Sequence, residues 1–244
     1  MDYSITSKKK MSKVNTMQSI RNTLIIVTLF SIAMGFMESA VVIYLRALYY
    51  PHGFTFPMVP TSDTIFRTEI LRELATIIML ACIGIISGKR LTERFAFFIF
   101  SFAIWDICYY LFLKWLIDWP ESLLTWDILF LIPLPWYGPV LAPCLISLTM
   151  MVLAILILSA EQKNSKVKIM KPDWIWMIVA SIVFIASFTI EFIKWFIKGG
   201  HALNTMGFEF IPNSYNWWLF LTGELVLIKV IIGLYRRYFV NTKG

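Results

Sequence analysis

Charge is scarce in this chain. Asp, Glu, Lys and Arg make up 15% of its 244 residues, where a soluble domain carries about 25%. Hydrophobic residues reach 59% and mean hydropathy is +0.72, so a water-soluble globule of this size could not cover its own surface. Histidine is almost missing: His52 and His201 are too few for a haem-ligating bundle or a histidine-rich zinc site. The three cysteines, Cys82, Cys108 and Cys144, sit in apolar runs without CxxC spacing and read as small core residues. GxGxxG, Walker and GxSxG patterns are lacking too. Soluble-enzyme templates are excluded, and no cofactor is indicated.

What the chain has instead is apolar runs of about 20 residues, the length needed to cross a bilayer as a helix. Six fit, at residues 22–48, 68–88, 95–118, 139–160, 174–197 and 216–236. The expected fold is an all-α polytopic membrane protein. A basic tail at residues 1–21 precedes a single six-helix transmembrane domain at 22–244. The first apolar run is too long for the h-region of a signal peptide and reads as a retained span.

The net charge of +7 would suggest nucleic acid in a soluble chain. Here it follows from where the 22 basic residues fall. Lys8, Lys9, Lys10, Lys13 and Arg21 precede span one; Lys89, Arg90 and Arg94 follow span two. Lys163, Lys166, Lys168 and Lys171 follow span four; Arg236, Arg237 and Lys243 follow span six. The positive-inside bias therefore predicts both termini in the cytoplasm of a cell-membrane protein, with the bilayer as partner and no nucleic acid. The 163–171 cluster is also suited to anionic lipid.

The opposite loops are rich in Trp, Tyr, Phe and Pro. The longest, 119–139, carries Trp119, Trp126, Trp136 and four prolines, too apolar for a solvated loop and too proline-rich for a seventh helix. It reads as a re-entrant or interfacial segment, with a short amphipathic surface helix as the alternative. Phe54–Pro57, Phe130–Pro133 and Phe208–Pro212 end similarly in proline, a faint echo of three hairpin repeats.

Charges inside the spans carry the functional argument, because a charge at mid-bilayer costs on the order of 2.5–3.5 kcal/mol even on the lenient insertion scale. At about 1.5 Å per residue, Glu38, Glu73, Glu191 and Glu224 come out roughly 9–12 Å below the outer surface, with Asp106 deeper. Helical phase groups Ser31, Gly35, Glu38 and Val42; then Glu69, Arg72, Glu73 and Thr76; then Asp106, Tyr109, Tyr110 and Lys114. With Arg46 these stripes predict an outward-opening polar seam; Asp127, Glu191, Glu224 and Lys229 are secondary candidates.

Three functions fit such a seam. One is binding or proton-coupled transport of a small or lipid-like ligand, with carboxylates exchanging protons and Arg46, Arg72 and Lys114 holding an anionic group. Another is a membrane enzyme acting on a lipid or isoprenoid, with Asp106 as acid among Trp105, Tyr109 and Tyr110. The third is an accessory subunit of a larger membrane complex, with the charges paired as packing glue. Both charge signs and the lack of a nucleophile–base pair favour the first. A metal site among Glu38, Glu69, Glu73 and Asp106 is disfavoured by the arginine in their midst. His52 and His201 read as solvated loop residues, and the twelve methionines as core packing.

Overall fold

The apolar runs become six helices, each long and apolar enough to cross a membrane. The computed structural model describes residues 2–163, 167–199 and 208–240, with side chains from residue 20 onward. Lys166, His201 and Lys243 lie outside the described residues, as do the side chains of the N-terminal lysines. The helices are α1 (Asp2–Tyr49), α2 (Asp63–Ser87), α3 (Leu91–Ile117), α4 (Leu141–Lys163), α5 (Lys171–Ile197) and α6 (Trp217–Tyr235), the last running into a π-helical turn, Arg236–Val240. The basic tail continues α1 rather than standing apart, so that helix is about 72 Å long. Helix α2 starts several residues ahead of the expected span because Ser62 caps it, accepting the Ile65 N–H at 3.4 Å.

Outward faces stay apolar along most of the helices, with Ile26, Leu71, Ile86, Ile182 and Leu225 all well exposed. Surfaces of that kind belong in a bilayer, whose hydrocarbon they contact. Inside, α3 is the hub, packing against α1, α2 and α4, while α5 pairs with α6 and α6 leans on α4. Large apolar side chains (Phe97, Leu153, Ile157, Phe184, Phe220) fill the centre.

Small residues bring α1 and α3 close together. A Cβ on Gly35 would stand 2.8 Å from the Cys108 Cβ and 2.9 Å from the Trp105 carbonyl oxygen. On either side of that contact, the Ser31 and Ser101 hydroxyls share a 2.8 Å hydrogen bond, and Ser39 donates to the Tyr109 carbonyl at 3.0 Å. Hydroxyls bonding between backbones at close approach are ordinary membrane-helix glue. The three-hairpin echo does not extend to packing. Helices α3–α4 and α5–α6 are intimate pairs, but α1 and α2 scarcely meet and each lies against α3 instead.

The end of the bundle that carries the termini is tied by ion pairs. Arg90, from the α2–α3 turn, pairs with Glu161 at the end of α4, which also accepts from Thr92 at 2.8 Å. Arg237 bridges to Asp173 at 2.6 Å. The other end holds the long loop, and here a strand pair stands in place of the alternative surface helix. Strands β1 (Trp126–Ile128) and β2 (Tyr137–Pro139) pair antiparallel, with Asp127 opposite Gly138. Bonds from Leu129 N to Trp136 O (2.9 Å) and from Val140 N to Thr125 O (3.0 Å) extend the ladder both ways. The physical reason is backbone satisfaction: among aromatic side chains the N–H and C=O groups must find partners within the segment, and prolines forbid the helical solution.

Candidate functional site

The three predicted stripes meet beneath this hairpin. They line a cavity of about 260 Å³. Its polar side comes from Glu38 on α1, Arg72, Glu73 and Thr76 on α2, and Asp106 on α3; Ser147 of α4 completes it. Aromatic rings make up much of the remaining lining, and the hairpin contributes Phe130 and Trp136.

Arg72 is the centre of the charge cluster. Its Nε and Nη2 donate to Glu69 at 2.9 and 2.7 Å, and Nη1 pairs with Glu38. Glu38 also accepts from Thr76 at 3.3 Å. One guanidinium thus serves two carboxylates, one on its own helix and one across the gap to α1. That accounts for the i, i+3 spacing of Glu69 and Arg72 and for the facing Glu38.

Two further acids have no such partner. Glu73 accepts the backbone N–H of Leu131, with its oxygens at 3.0 and 2.9 Å, and so clasps the hairpin segment onto α2. Asp106 is 8% exposed and accepts the Ser147 hydroxyl at 2.7 Å. Among the described residues no cation stands within 4.0 Å of either one.

Asp127, a secondary candidate on sequence grounds, holds the hairpin at its other corner. It is 3% exposed, pairs with Arg46 at 3.5 Å, and accepts the Tyr110 hydroxyl at 3.2 Å. Arg46 also lies 3.7 Å from the Trp119 ring centre and 4.8 Å from that of Phe54, a cation between aromatic faces. Burial raises the proton affinity of the Asp127 carboxyl above the ordinary aspartate range, with the Arg46 guanidinium opposing the shift. The folded chain therefore keeps a proton that the unfolded chain releases, and this group's contribution to stability falls as pH rises from the ordinary aspartate value through the raised one. Asp127→Asn should flatten that part of a Tm-against-pH curve measured in detergent; an unchanged slope counts against it.

Other candidates do not join the cluster. Lys114 turns away, 2.6 Å from Asp118 and half-exposed. Eight residues carry it about 80° round the helix from Asp106. Asp118, which ends α3 with a left-handed φ of 53°, captures it instead. Glu191 pairs locally with Lys194 at 2.8 Å at the bundle surface. Glu224 accepts from Thr149 on α4 at 2.9 Å, and Lys229 sits 3.9 Å above the Trp176 ring on α5. Both thus reach across to other helices, outside the cavity. His52 is exposed in the loop after α1.

Sequence reasoning missed the aromatic half. Phe184 and Phe188 of α5 wall the cavity. A lone hydroxyl in an apolar run, Ser147, was the overlooked signal on α4. Two further spaces have lining residues in common with their neighbours. One of about 170 Å³ shares Arg72, Glu73 and Tyr109 with the cavity, and the next, about 470 Å³, shares Arg46, Tyr50 and Phe54 with the second. Among the described residues no three His, Cys, Asp or Glu side chains gather as a metal would require. No protein-family model, curated protein or solved structure matches the chain.

Proposed function

We propose that this membrane protein binds a small or lipid-like molecule in the cavity beneath the hairpin and passes it across the bilayer in exchange with protons. The observation that carries the reading is the cavity itself: about 260 Å³, lined by four charged side chains from three helices together with aromatic rings. Packing glue alone would close such a space, since voids forfeit contacts on every lining atom. The three spaces, linked by shared lining residues, supply a route. The lysine and arginine bias supports a cell-membrane orientation with both termini cytoplasmic, so that the route leads outward and the 119–139 segment lies at the outer mouth.

The proton link rests on Glu73. Its carboxylate accepts the Leu131 N–H, so protonating it, or giving it another donor, weakens the clasp between α2 and the cover. A single group then couples occupancy to release of the lid.

Native mass spectrometry of the protein, extracted in mild detergent from its host membrane, tests the reading. A retained small molecule or lipid is expected, and Asp106→Asn or Glu38→Gln should lose it. An empty cavity together with a protein partner at fixed stoichiometry overturns the proposal in favour of an accessory subunit.

A further inference from the structure

We infer that the molecule taken by this cavity is a protonated amine on an aromatic or aliphatic body; the inference rests on the ligand-binding reading above. The first argument is the disposition of charge. Each candidate cation on the sequence list has a partner of its own: Arg72 with Glu38 and Glu69, Arg46 with Asp127, Lys114 with Asp118, and Lys229 on the Trp176 ring. Among the described residues no spare cation lines the cavity to hold an anion. Glu73 and Asp106 line it with no ion-pair partner within 4.0 Å. The second Asp106 oxygen has no hydrogen-bond donor among the described residues, in a side chain more than nine-tenths buried. A buried carboxylate in that condition stays ionised only when a donor that brings positive charge completes it.

The aromatic part of the lining is the second argument. Trp105, Phe130, Trp136 and Phe188 form a continuous run of rings, with successive centroids 6.3, 5.3 and 6.0 Å apart. Ring faces are electron-rich and attract ammonium groups, and their edges pack against an apolar body.

The test uses the full chain in nanodiscs of zwitterionic lipid and three matched probes: phenoxypropylammonium, the neutral phenoxypropanol and the anionic phenoxypropanoate. Tryptophan fluorescence reads binding, since two of the lining residues are indoles. The ammonium should bind at least tenfold tighter than the alcohol, and Asp106→Asn and Glu73→Gln should each remove most of that preference. Glu224→Gln, a buried carboxylate outside the cavity, should leave it intact and controls for folding. Equal or tighter binding of the alcohol or the carboxylate overturns the cationic assignment while leaving the ligand-binding reading in place. Binding of none of the three overturns the assignment as well, and the native mass spectra then decide the cavity on their own.

Discussion

Arg72→Leu should destabilise the protein by about 3–5 kcal/mol, the usual consequence of removing one partner from a buried ion pair. The argument is that Arg72 neutralises two carboxylates at once. Without it, Glu38 on α1 and Glu69 on α2 face each other with Thr76 as the nearest remaining donor to Glu38. The hydrogen bonds between α1 and α2 through the guanidinium go as well. These helices have few other contacts, so the pair is their main direct link. The triple variant Glu38→Gln, Glu69→Gln, Arg72→Leu should recover most of the stability, since it buries no charge at all. Thermal loss of the monodisperse peak in detergent, at one fixed heating rate, measures both. Arg72→Leu melting with the wild type, or the triple variant melting no higher than the single, would contradict the account.

How far the sequence foretold these contacts depended on whether local spacing determined them. Six spans were legible because hydropathy over 20 residues is a property of the chain alone. Glu38, Glu69, Arg72 and Glu73 were legible as one cluster because helical phase fixes which residues share a face. Phase failed for Lys114: a long flexible side chain near a helix end answers to its nearest acid, Asp118, rather than to the face its Cα occupies. Depth misled for Glu191, which pairs with Lys194 on its own helix instead of joining the seam. The hairpin was not legible at all. Strands of three residues have no measurable period, and Asp127 becomes central only when pairing places it opposite Gly138 and beside Arg46. The cavity likewise depends on Phe184 and Phe188, whose approach to the seam is set by long-range packing of α5 against the hairpin.

That packing leaves no room at one point, and Gly138→Val exploits it. A Cβ at this position would stand 2.7 Å from two ring carbons of Phe188 and 3.4 Å from the Tyr215 ring. Phe188 cannot swing aside, being 3% exposed and stacked within 10° of parallel on Trp136. Overpacking of this kind costs about 1–3 kcal/mol. Here the loss should lie at the upper end or beyond, because lifting Gly138 also lifts Asp127, its ladder partner, away from Arg46 and Tyr110. Breaking a buried pair at one partner adds to the strain. The same displacement shifts Trp136 and Phe188, so binding in the cavity should weaken along with stability. Phe188→Ala removes the two obstructing ring carbons, and in the double variant it should restore part of what Gly138→Val loses. A double-mutant cycle on Tm then gives a coupling of opposite sign to the single effects, as contact between the two positions requires. Additive losses would mean that the hairpin does not rest on α5 at Phe188, and the aromatic wall would have to be assigned to other residues.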